Sequence, residues 1–152
     1  MKAFPCSLED KARLEDAVLD YLYAVDGLKD IDFMMSCFTD DATLDLSGLD
    51  MGVYEGPDAI KGFYEEVFKT MTHHMHMMTN FRVTGISGSD ASCHSYICGM
   101  GRSVTGVDVQ VYVYYDLKLR LTEDGWKIRH FYEAPQLPMP ASVLEAHSHA
   151  AG

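Results

Sequence analysis

The stretch His74-Met75-His76-Met77-Met78-Thr79-Asn80-Phe81-Arg82-Val83-Thr84-Gly85-Ile86 is where this chain changes period. Before it, apolar residues recur every three or four positions. From Met75 onward they alternate, as half-buried strands do. Two further β runs follow, Ala91 to Arg102 and Val107 to Leu121. The gaps between them, Ser87-Gly88-Ser89-Asp90 and Ser103 to Gly106, hold turn residues where hairpins need them. The turn Glu123-Asp124-Gly125 then precedes a last strand from Trp126 to about Tyr132, and Pro135, Pro138 and Pro140 keep the sheet from continuing.

On the N-terminal side, Ser7 can cap a helix whose stripe runs Leu14, Ala17, Val18, Tyr21, Leu22 and Val25, with Gly27 offering a stop. Asp30 can cap a short second helix through Ile31, Phe33, Met34 and Cys37. Asp40 and Asp41 lead into a short strand, Thr43 to Leu46, and a glycine-rich turn. Pro57 suits the first turn of a third helix, with Asp58 near its positive end and Ile60, Phe63, Tyr64, Val67 and Phe68 on one face. Helix, helix, strand and helix followed by four antiparallel strands place the helices on one face of a bent sheet. That is an α+β arrangement rather than a βαβ one.

The length of 152 residues fits one domain, 1–152, with residues 136–152 as a C-terminal tail that either stays mobile or covers a pocket mouth. His147 and His149 in that tail are expected to face solvent. The net charge of -11 argues against nucleic acid or an anionic membrane as partner, because neutralising phosphates takes Lys and Arg. No apolar run approaches the roughly 20 residues of a membrane span, and Met1 to Pro5 open no signal peptide, so the expectation is a cytoplasmic protein. Cys6, Cys37, Cys93 and Cys98 lack metal or redox spacing and read as reduced thiols. The methionines read as flexible core filler.

The order of elements resembles the NTF2-like superfamily, on Tyr21 to Asp26, Phe38-Thr39-Asp40-Asp41-Ala42 and Tyr54-Glu55-Gly56-Pro57-Asp58-Ala59-Ile60. More narrowly it resembles the SnoaL-like branch, through His76-Met77-Met78-Thr79-Asn80 and Asp124-Gly125-Trp126-Lys127-Ile128. The resemblance spans roughly Leu8 to Tyr132. It implies a cone of three N-terminal helices on a strongly curved, mostly antiparallel sheet enclosing a pocket. It also implies a catalytic pair, because dehydratases and a dehydrochlorinase of that branch use a helix-one Asp with a strand His, the positions of Asp26 and His76.

A neutral imidazole can take a proton from carbon when its other nitrogen donates to a carboxylate, which fixes the tautomer and stabilises the imidazolium. Asp26 would orient and His76 would abstract. Asp26 sits near the negative end of its helix, so a nearby group should compensate it, unless it merely faces solvent or caps the turn at Gly27. His74 and His76 share a strand face, a spacing that can also chelate a metal, but a third ligand is needed and His94 is the remaining central histidine. The resemblance implies chemistry without metal or other cofactor.

Tyr23, Tyr54, Tyr96, Tyr114, His94 and His130 are the candidates for binding substrate, by stacking on a ring or donating to an oxygen. His94, Tyr96 and Cys98 share one strand face and Cys93, Ser95 and Ile97 the other, and the sequence leaves open which lines the pocket. Tyr112 and Tyr114 alternate against Val111, Val113 and Tyr115, while Leu117, Leu119 and Leu121 continue the apolar register. A bulge near Asp116 is expected to turn Tyr114 inward. Arg129 and His130 fall on opposite faces, with Phe131 as the alternative inward residue.

The reading is a cofactor-independent lyase, a dehydratase acting on a small apolar or aromatic cyclic substrate. A ketosteroid-isomerase-like or polyketide-cyclase-like enzyme, or a non-catalytic binding or accessory subunit, is the alternative. An apolar outer sheet face further suggests a homo-oligomer, a trimer by resemblance or else a dimer.

Overall fold

Ser7 opens the first helix by accepting the Asp10 N–H at 3.0 Å, and α1 runs Leu8–Gly27 in the computed structural model, which describes residues 1–148. Its stripe is buried at Leu14, Val18, Tyr21, Leu22 and Val25. The left-handed residue ending the helix is Leu28, at φ 54°, rather than Gly27. Asp30 caps α2 (Ile31–Ser36) by accepting the Phe33 N–H at 2.9 Å. Then come β1 (Phe38–Asp45), a 3-10 turn (Ser47–Leu49), β2 (Val53–Glu55) and α3 (Gly56–Thr70). The long strands are β3 (Met71–Ser87), β4 (Asp90–Ser103), β5 (Asp108–Thr122) and β6 (Gly125–Pro135), followed by α4 (Ser142–Ser148).

The six strands form one open sheet in the order β2-β1-β6-β5-β4-β3. Every pairing is antiparallel except β1 with β6, so the sheet is mostly antiparallel as expected. Leu14, Val18, Leu44, Ile60, Ile128 and Phe131 are all fully buried between the helices and the concave face. Each contributes on the order of 1.5–3 kcal/mol by leaving water. β1 is longer than its sequence predicts, and β2 pairs with it where only a turn was expected.

Two irregularities set which side chains face inward. Asn80 adopts φ 55° at a break in the β3–β4 register between Thr79 and Arg82. Before it the even residues His74, His76 and Met78 point in; after it the odd residues Phe81 and Val83 do. On β6 the register shifts between His130 and Ile128, leaving Arg129 as the extra residue of a bulge. Ile128 and Phe131 are therefore both buried.

The tail past the prolines packs back on the body, with Val143 and Ala146 of α4 buried. His147 is half-buried and borders the cavity between α4 and the body rather than standing free in solvent, and His149 lies outside the described residues. All four cysteines are free. Among the described residues, no helix is long and apolar enough to cross a membrane.

Candidate active site

Asp26 ends the buried stripe of α1 and meets the middle of β3. Its Oδ1 accepts from His76 Nδ1 at 2.5 Å, and its Oδ2 accepts the His76 backbone N–H at 3.0 Å. No basic residue occupies the last turn of α1, so these two donors are what offset a carboxylate at the negative helix end. The bidentate grip fixes the Nδ1–H tautomer and turns the Nε2 edge away from α1. Gly99 and Gly101, facing them on β4, make room for the rings. A β-carbon at Gly101 would stand 2.9 Å from His74 Cδ2 and 2.9 Å from the His73 carbonyl oxygen.

His76 borders a partly open cavity of about 110 Å³. The wall is mainly apolar, from Val25, Leu46, Val67, Met71, Val109 and Val111, with a few polar groups converging on it. His74 Nδ1 donates to the Val25 carbonyl, 3.3 Å away, and burial pushes its imidazole down to about 4, with His76 adding to the effect. It is a neutral ring at physiological pH. Tyr21 and Tyr64 are hydroxyl to hydroxyl at 2.8 Å, both buried, beside buried Tyr115. Glu133 on β6 completes the ring of polar groups, its carboxyl pushed up to about 7 by burial and held back by the charge of His76.

Asp26, His74 and His76 bring three ligand atoms within 4.8 Å of one another. Both oxygens of Asp26 are already engaged by His76, so a cation there would have to break the pair.

Most of the expected substrate-binding residues stand elsewhere. Tyr23 is 73% exposed on the outer side of α1. Residues Val111, Val113, Tyr115, Leu117 and Leu119 form one unbroken inward set, and the β4–β5 ladder runs without a shift from Asp90 to Arg102. There is accordingly no bulge at Asp116, and Tyr115 faces inward in place of Tyr114. Tyr114 stacks on His94 on the outer face at 5.4 Å, beside Tyr96 and Tyr132. His94 Nδ1 donates to Asp116 Oδ1, 2.8 Å away. On β4 the inward face is that of Cys93, Ser95 and Ile97. His130 pairs across from exposed Lys118 and also faces out, while Phe131 is fully buried.

Tyr54 comes nearest. Its ring packs on Phe63 at 4.8 Å and its hydroxyl donates to the Met51 carbonyl at 3.0 Å. It borders a neighbouring groove between α3 and α4 that shares Met51, Phe63, Val67 and His147 with the cavity. Tyr21, Tyr64, Tyr115 and Glu133 were not singled out from the sequence. For Tyr115 the signal was present in the unbroken odd-numbered register; for Glu133 it was hidden by the Arg129 bulge.

The profile of the SnoaL-like domain matches residues 7–132. A protein of Novosphingobium aromaticivorans, described as a candidate aromatic ring hydroxylase, superposes with a TM-score of 0.90 at 37% identity, over 93% of this chain and 99% of that one. A second protein from that organism, described as a candidate scytalone dehydratase, gives 0.78 at 18% identity, over 86% of each chain. A hexachlorocyclohexane dehydrochlorinase gives 0.75 at 20% identity, over 88% and 90%. The last two bear on the fold alone. No curated protein sequence matches the chain.

Proposed function

This chain belongs to the SnoaL-like domain family, and from that premise we propose that it is a cofactor-independent dehydratase acting on a small cyclic substrate. The observation that carries the reading is the 2.5 Å contact of His76 Nδ1 with Asp26 at the edge of an apolar cavity. With Nδ1 committed to the carboxylate, Nε2 is the basic nitrogen, and it takes a proton from a carbon next to an activating group. The imidazolium so formed lies against Asp26 in a water-poor wall, where the attraction is stronger than in water. A hydroxyl then leaves from the adjacent carbon.

The aromatic-ring description of the 37% identical relative supports a ring as substrate, and the cavity suits one of modest size. Substitution His76→Gln keeps a polar side chain but removes the base. Turnover of a hydroxylated cyclic ketone is expected to fall by about 10² to 10⁴. An unchanged rate in a folded His76→Gln protein would remove the reading.

A further inference from the structure

An elimination needs a proton donor at the leaving oxygen. Tyr96, Tyr114, His94 and His130 stand on the outer face of the sheet and cannot serve. Inside the cavity the O–H donors are Tyr21, Tyr64, Tyr115 and the carboxyl of Glu133. The tyrosines are weak acids in this setting. Burial raises all three hydroxyls well above 10, and Tyr21 and Tyr64 are engaged with each other at 2.8 Å. Proton transfer is most effective from an acid whose pKa lies near the working pH. Glu133, lifted to about 7, meets that condition.

The backbone at Glu133 is tightly set. It pairs with Tyr115 across the β5–β6 ladder, and Gly48 presses on its backbone so closely that a β-carbon there would meet the Glu133 carbonyl oxygen and the Ala134 side chain, the latter at 2.8 Å. The titratable groups around the same cavity are His76 and His74 from β3, Tyr21 from α1, Tyr64 from α3, Tyr115 from β5 and His147 from α4, with Asp26 behind His76. Of these, His76 is the one whose charge favours the Glu133 anion. An acid that is destabilised as an anion while alone, and relieved when His76 becomes charged, is suited to give up its proton as His76 gains one.

We infer that Glu133 is the general acid of this site, protonating the hydroxyl that leaves a cyclic substrate from the carbon β to a ring carbonyl. The inference rests on the base role of His76 proposed above. His76 Nε2 takes the proton from the α carbon, that C–H electron pair becomes the new C=C bond, and the C–O bond breaks. The hydroxyl departs as water with the proton of Glu133. Transfer of a proton from His76 to Glu133 through the released water restores both groups, and no oxidant or reductant is involved.

The test is carbon NMR of the full chain carrying carboxyl-labelled glutamate, titrated alone and with 2-cyclohexenone as the ring-carbonyl probe. One glutamate signal is expected to titrate near 7 and to vanish in Glu133→Gln and in Glu133→Asp. The ketone is expected to raise that midpoint by about one unit, since the protonated carboxyl donates to its oxygen. A spectrum in which every glutamate titrates in the ordinary range overturns the proposal, as does a midpoint that saturating ketone leaves in place.

Turnover of 3-hydroxycyclohexanone separates the two roles. Loss of the alkaline limb of the pH profile in Glu133→Gln supports the acid, and retention of that limb sinks it even if His76→Gln is inactive. Activity surviving in His76→Gln removes the base instead.

Discussion

Gly99 lies opposite His76 across the β3–β4 ladder, so close that a β-carbon on it would stand 3.2 Å from the imidazole Cδ2 and 3.4 Å from Nε2. The absent side chain is what lets the ring lie flat against β4 while its Nδ1 reaches Asp26. Gly99→Ala should displace the ring by a few tenths of an ångström, against a second close contact of 3.1 Å to Val111. Because a small misplacement of a reacting group can lower a rate by about 10², we expect kcat to drop at least tenfold while the circular dichroism spectrum is retained.

Asp26→Asn keeps an acceptor for the His76 ring but removes the charge that stabilises the imidazolium. The expected result is a fall in kcat of about 10²-fold with KM little changed. Stability should move by no more than about 1 kcal/mol, because losing a carboxylate at the negative end of α1 offsets part of the lost pairing. Steady-state kinetics and thermal melts of the same preparation check both halves.

Glu133 makes stability depend on pH with a definite sign. Its folded-state pKa, about 7, lies above the ordinary 4.5, so the folded state holds its proton longer than the unfolded chain does. The associated stability is complete below about 4.5 and is lost as pH rises through 7. Glu133→Gln, which has no proton to lose, should be more stable than the parent at pH 8 by on the order of 1–3 kcal/mol and no more stable at pH 4.5. Melting curves at the two pH values decide it. An equal shift at both would show that the effect is packing rather than ionisation.

The hydroxyl pair of Tyr21 and Tyr64, 2.8 Å apart and buried, should behave non-additively. Tyr21→Phe leaves the Tyr64 hydroxyl short of a partner and is expected to destabilise by about 1–3 kcal/mol. Adding Tyr64→Phe should then cost less than it does alone, since both polar groups are gone together. Denaturant melts of the four proteins give the coupling, and strict additivity would show that the pair contributes nothing.

The sequence was informative where periodicity was unbroken. The stripe from Leu14 to Val25, the Ser7 and Asp30 caps and the hairpins around Gly88 and Gly125 follow from local chemistry, and the structure has them in place. For Asp26 the sequence calls for a compensating group, as a carboxylate at the wrong helix end, and His76 supplies it; that His76 rather than His74 is the partner came from the resemblance carried by His76 to Asn80 and not from the alternation.

What remained hidden depended on counting parity through irregular backbone. The expected inward turn of Tyr114 required a bulge at Asp116 that an intact ladder has no need of. Conversely, the bulge at Arg129 carries Phe131 and Glu133 inward and His130 outward, and nothing in those residue types marks it. For the tail the sequence leaves two outcomes, mobile or covering a pocket mouth, and α4 packs beside the cavity; which of its faces docks is not legible, because a seven-residue helix after three prolines shows too little pattern.

The left-handed Asn80 divides β3 into two lengths that answer to different demands. Residues before it present alternate side chains to the cavity, and residues after it, with the opposite parity, seat Val83 in the core. One strand thus serves two masters, its first half holding the reactive histidines at the cavity and its second half anchoring the sheet to the core through Val83.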